Sequence, residues 1–313
     1  MSAPAGLRLR ERLRGVMVPL VTPFTASLTI DWPAFDDHVS RLLASGIEVL
    51  IPADLVGEAW ALEFDEKVRL FERTVRLARG RAIVLAKISE PSLPAASRLA
   101  REAASVGVDA VKVPLPADPG GHEALDEYVN AVGPGSGLPF LLETSGTDIP
   151  IQLIDQLAGH PEIVGIEEPG LDLDRFDMLV QRYGAHIPII AGSEDVLGFT
   201  LLLGASGFMT ASPNFAPGFM RALWAAAAAA DAATTVDLYR RLRRYRRLFE
   251  PDLRAGRPLF VSYTKAALDV LGHSVGPPRP PLRRLSDAER RVLTVTLRDA
   301  LGLEVPHHGL MSE

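Results

Sequence analysis

The 313 residues predict an α/β fold, a (β/α)8 TIM barrel followed by a C-terminal helical extension. Eight short apolar runs of strand length alternate with longer stretches of helical spacing. Repeated strand–helix units imply parallel neighbours, because a parallel pair needs a crossover, and eight such units favour closure. An open doubly wound sheet would prefer a glycine-rich phosphate loop after the first strand. Here that junction reads Val21-Thr22-Pro23-Phe24.

In chain order, strands are expected at Gly15–Val21, Glu48–Pro52, Ala82–Lys87 and Ala110–Val113, then at Pro139–Glu143, Ile163–Glu167, Ile187–Ala191 and Gly207–Thr210. After the first strand, Phe35, Val39, Leu42 and Leu43 recur as one helix face, with Asp31 placed to cap it. The Ala-rich segment Ala225–Ala230 reads as a helix packed tightly against a neighbour. Beyond about Ala230 the alternation gives way to helices at Thr234–Phe249, Leu259–Leu271 and Ser286–Leu301. Ser286 and Glu289 have capping-box spacing. The link Gly276-Pro277-Pro278-Arg279-Pro280-Pro281 reads as stiff and extended. These assignments divide one domain into a barrel at 1–230 and an extension at 231–304, with a disordered tail at 305–313.

Composition excludes several functions. With 39 acidic and 33 basic residues the chain carries a net charge of −6, which offers no general attraction for nucleic acid or anionic membranes. The run Arg240, Arg241, Arg243, Arg244, Arg246 and Arg247 reads as a solvated helix face or a subunit contact. The absence of cysteine removes disulfides, thiolate metal sites and a cysteine nucleophile. The longest uncharged stretch, Val196–Met220, is broken by glycines and prolines and does not read as a membrane span. The N-terminus, with Arg8, Arg10, Arg12 and Arg14, lacks the apolar core of a signal peptide, so the cytoplasm is the expected address. His38, His160 and His273 fall in helices or at helix ends, where surface or capping roles are expected; His307 and His308 fall in the tail.

Several segments together carry a resemblance. They are Gly15–Phe24, Ile163-Val164-Gly165-Ile166, Leu203–Phe208 with Asn214-Phe215-Ala216-Pro217, and Thr264–Leu268 with Pro280-Pro281-Leu282. In this order and spacing, from about Gly15 to Leu303, the chain resembles the dihydrodipicolinate synthase / N-acetylneuraminate lyase family of pyruvate-aldolase-like barrels. That family joins a 2-oxo acid to a lysine as an imine, which serves as an electron sink. The resemblance places that lysine directly after Ile166, where this chain has Glu167, and a carboxylate cannot form an imine. The family's strand-end tyrosine aligns with Glu143, and its Gly-Thr-Thr-Gly-Glu carboxylate cradle with Asp54-Leu55-Val56-Gly57-Glu58. Its paired tyrosines align with Ala117 and Asp118. Its arginine has no counterpart in Thr144-Ser145-Gly146-Thr147-Asp148. The resemblance therefore implies a divergent member lacking the Schiff-base lysine and ordinary dihydrodipicolinate synthase activity. It also implies no cofactor and a homodimer or homotetramer.

If the strand register follows the family, Lys87 ends the third strand, Lys112 lies in the fourth, and Glu143 and Glu167 end the fifth and sixth; barrel enzymes carry their chemistry at the C-terminal ends of the strands. These four are the candidate catalytic residues; Asp54, Gly57, Glu58, Ser193 and Glu194 are the candidate substrate-binding residues. Glu143 and Glu167 can act as an acid/base pair, since close carboxylates separate their pKa values, with a lysine holding an enolate or anion. Dehydration, epimerisation or retro-aldol cleavage of a small hydroxy or oxo acid fits this description. Alternatively, Lys87 or Lys112 has taken over imine formation. A divalent cation held by Glu58, Glu143, Glu167 and Glu168 is a third chemistry, opposed by the lysines, and no metal site is assigned. Two non-catalytic readings stand beside these: a charge-balanced plug, and a barrel retained to bind a ligand or partner.

Overall fold

In the computed structural model, residues 5–116, 122–144, 151–254, 256 and 259–306 are described. Ala117, Asp118, Ser145, Gly146, Thr147, Asp148, His307 and His308 lie outside them, as does most of the expected tail.

Eight parallel strands close into a barrel in sequence order. They are β1 (Gly15–Pro19), β2 (Val49–Ile51), β3 (Ile83–Lys87) and β4 (Ala110–Pro114), then β5 (Phe140–Glu143), β6 (Ile163–Glu168), β7 (Ile189–Ala191) and β8 (Gly207–Met209). β8 pairs with β1 through Gly15 and Gly207, which closes the ring. The inward positions Met17, Val49, Ile51, Ile83, Leu85, Leu141, Ile190 and Met209 form one apolar cluster inside the barrel. The alternate positions, such as Val18, Leu50, Val84 and Leu142, pack outward against the helices. The two-residue period of a strand thus divides each apolar run between two cores.

Helix α1 (Ala5–Arg12) was not expected from the sequence. Leu9 and Leu13, just past its end, belong to the inner cluster, and Arg10 Nε donates to the Ile163 carbonyl oxygen at 2.7 Å. Its four-residue spacing of leucines is hidden by the arginines around them. Helix α2 (Trp32–Ala44) is capped by Asp31, whose side chain accepts from Ala34 N as expected.

After β8, α3 (Pro217–Ala228) buries Phe219, Met220 and Leu223, while Ala225 and Ala228–Ala230 are exposed. The expected contact is made by only part of the segment: Ala227 packs against the core and Ala226 is partly buried. The extension comprises α4 (Ala232–Arg246), α5 (Glu250–Arg254), α6 (Phe260–Val270) and α7 (Asp287–Asp299), the last opened by the expected Ser286–Glu289 capping box. Among the described residues, no helix is long and apolar enough to cross a membrane.

Candidate active site

The inward alternation that fills the barrel with apolar side chains changes chemistry at its C-terminal end. Lys87 and Lys112 sit opposite one another in the β3–β4 register, as do Glu143 and Glu167 in the β5–β6 register. A register shift between Phe140 and Leu141 brings Gly165 and Glu167 to the inner face. Glu168 therefore points outward, where it accepts from Arg175 Nε and Thr144 Oγ1, both at 2.8 Å.

Asp54 completes the group from the β2 loop. It caps the one-turn helix Leu55–Gly57 by accepting from Leu55 N, which turns its carboxylate inward. Its Oδ1 lies 3.0 Å from Lys87 Nζ, and its Oδ2 accepts from Lys112 Nζ at 2.8 Å. Lys87 also donates to Glu143 Oε1 at 3.0 Å. Lys112 lies 3.1 Å from Glu143 Oε2 and 2.6 Å from Glu167 Oε2. Two ammonium groups are thus shared among three carboxylates.

The excess of negative charge has a direct consequence. Burial pushes the Glu167 carboxyl up, Lys112 pulls it down, and Glu143 and Asp54 push it up again, leaving it at about 7. Asp54 is also fully buried, but the pull of Lys112 and Lys87 outweighs the cost of burial and holds it well below the usual carboxylate range. Burial alone would lower both lysines. The surrounding carboxylates instead raise Lys87 and raise Lys112 well above the ordinary ammonium value. Similar carboxyl groups a few ångströms apart are driven in opposite directions because Asp54 bridges both lysines and Glu167 contacts only one.

These groups floor a cavity of about 350 Å³, with Leu55 and Leu171 among the exposed residues at its edge. Ser193 and Glu194 line the β7 side, as the sequence suggested. Glu194 is buried and accepts from Ser212 N at 2.8 Å. The sequence reading missed Arg246. Rather than lying on a solvated face, it is buried and lines the cavity, with Nε and Nη2 donating to Asp195 at 3.2 and 2.7 Å. Arg243 from the preceding turn of α4 also donates to Asp195. Arg240, Arg244 and Arg247 are exposed, and half-buried Arg241 donates through Nε to the Ala300 carbonyl oxygen at 2.8 Å, so the arginine run is divided between a clamp on the β7 loop, a contact with the end of α7 and solvent.

Gly57 and Glu58 do not line the cavity, contrary to expectation. Glu58 is fully buried, with Oε1 2.5 Å from Lys265 Nζ and Oε2 accepting from Arg279 N at 2.7 Å. It ties the β2 loop to the proline-rich link. Burial pushes its carboxyl up and lowers Lys265 to about 8. Gly57 is a packing position: its carbonyl oxygen accepts from Thr22 Oγ1 at 2.7 Å, and a Cβ there would lie 2.6 Å from the Leu20 carbonyl oxygen. Gly57→Ala should therefore cost about 1–3 kcal/mol through overpacking, read as a lower urea midpoint. An unchanged midpoint would contradict this packing role.

Glu143 and Glu167 converge on Lys112, whereas Glu58 and Glu168 are engaged elsewhere, by Lys265 and Arg175. Among the described residues, no group of three or more acids or histidines is placed to hold a metal ion. His38 is buried rather than on the surface. Its Nε2 lies 2.9 Å from Asn214 Oδ1, and burial lowers it to about 3.

A model of the Dihydrodipicolinate synthetase family matches residues 12–300. The chain is similar to a 4-hydroxy-tetrahydrodipicolinate synthase of Phenylobacterium zucineum, at 30% identity over 292 residues covering 92% of this chain and 97% of that one. It is 27% identical to an uncharacterised DapA-like lyase of Pyrobaculum islandicum, over 93% of this chain and 99% of the other. A dihydrodipicolinate synthase structure from Oceanobacillus iheyensis superposes with a TM-score of 0.87 at 26% identity, covering 94% and 98% of the two chains. An N-acetylneuraminate lyase from Proteus mirabilis shares the fold, with a TM-score of 0.82.

Proposed function

We propose, from the premise that this chain belongs to the dihydrodipicolinate synthetase family, that it is a lyase-type enzyme using carboxylate acid/base chemistry on a small oxygenated substrate. In this reading Glu167 stands where relatives form their imine, and the chain is not a true dihydrodipicolinate synthase. The observation that carries the proposal is a buried carboxyl held at about 7 against Lys112, with Glu143 beside it in register. A carboxyl with that pKa exchanges its proton at neutral pH, as a general acid or base must. Glu143 is the second proton-transfer group, and Lys112 and Lys87 stabilise negative charge developing on a substrate oxygen.

A relocated imine is less well supported. A nucleophilic amine must be unprotonated, yet three carboxylates raise both lysines. Incubation with pyruvate and borohydride, followed by peptide mass spectrometry, should therefore find no adduct at Lys87 or Lys112. An adduct at either would replace the acid/base reading with the imine one. On family grounds we propose a homodimer or homotetramer acting in the cytoplasm.

A further inference from the structure

We infer that this same cavity, taken as the reaction site, accepts an uncharged hydroxyl-bearing ligand and disfavours a free carboxylate, so that the small hydroxy or oxo acid suggested by the sequence is not its substrate class. Among the described residues lining the cavity, the carboxylates of Asp54, Glu143, Glu167, Glu194 and Asp195 outnumber the three cations, Lys87, Lys112 and Arg246, and Arg243 adds a fourth cation on Asp195 from outside the lining. Each cation is already engaged. Lys87 lies 3.0 Å from Asp54 and 2.9 Å from Glu143. Lys112 touches Asp54, Glu143 and Glu167. Arg246 gives two of its nitrogens to Asp195. A ligand carboxylate approaching any of them meets a carboxylate already in contact, and like charges at that separation repel strongly in a poorly solvated site.

A neutral ligand meets no such repulsion. Glu143 is the most exposed of the three carboxylates around the lysines, at 17% against 3% for Asp54 and 5% for Glu167. A hydroxyl can donate to a Glu143 oxygen and accept from a neighbouring ammonium group, whereas an ionised carboxylate has no proton to donate to it.

Lactamide and lactate have nearly the same shape and differ in charge, so they test the inference by isothermal titration at neutral pH. Lactamide should bind at least about tenfold more tightly. In Glu143→Gln, with one carboxylate fewer, lactate should gain affinity and the preference should narrow. Equal or tighter binding of lactate by the parent, or no binding of either probe, would overturn the inference. A preference unchanged in Glu143→Gln would overturn it too, since charge would then not be its cause. These readouts are binding constants, so their failure leaves the acid/base proposal standing, and a failure of acid/base catalysis leaves them unaffected.

Discussion

Glu167→Gln should remove turnover, by about 10²–10⁴-fold, while leaving the barrel as stable as the parent or slightly more so. The amide keeps the size of the side chain but cannot exchange a proton. Its effect on stability follows from the direction of the pKa shift. Glu167 is raised from 4.5 to about 7, so between those values the folded chain holds a proton that the unfolded chain has released. Its contribution to stability is therefore full below about 4.5 and is lost as pH rises through about 7. Above 7 the ionised carboxylate is the third negative charge around two lysines, and Gln relieves that excess. Lys112 is not stranded, because Asp54 and Glu143 remain 2.8 and 3.1 Å away. A gain on the order of 1 kcal/mol in mildly alkaline buffer, vanishing in acid, is the expected thermal-denaturation result. If Glu167 instead served only to balance charge in a plug, its loss would cost about 3–5 kcal/mol. A loss of that size at neutral pH would count against catalysis at this position.

Asp54→Asn should have the opposite signature. Asp54 bridges both lysines and is held below the ordinary carboxylate range. Its contribution is therefore present above that range and is lost only as pH falls through the depressed value. Asn removes the charge that both ammonium groups share most closely, in a setting where Lys112 is almost fully buried. Breaking a buried ionic group by removing one partner typically costs about 3–5 kcal/mol. Urea denaturation at neutral pH should show a loss of that order, shrinking as the buffer is made strongly acidic. A loss below about 1 kcal/mol at neutral pH would mean that Glu143 and Glu167 alone compensate the lysines, and that Asp54 has no keystone role. Taken together, the two substitutions distinguish a carboxylate that holds the site together from one that is free to react.

All eight strands were legible in the sequence because each depends on a local signal, an apolar run of strand length bounded by turn residues. The positions of Lys87, Glu143 and Glu167 toward the C-terminal ends of their strands, and of Lys112 within β4, followed from the register of the family resemblance. Caps such as Asp31 and Ser286 were equally legible, since a cap acts within its own helical turn. What tertiary structure alone decided were the partnerships between residues distant in the chain. Asp54 and Glu58 stand four residues apart in one loop, yet one bridges Lys87 and Lys112 and the other is sealed against Lys265, more than two hundred residues away. Arg246 belongs to an arginine run that reads as solvent-facing, but the packing of α4 aims it at Asp195 beside the cavity. Side-chain identity is a property of the sequence, whereas burial and the nearest opposite charge belong to the closed barrel. The two opposed carboxyl shifts follow from burial and neighbouring charge, so they could be assigned only once the fold was in hand.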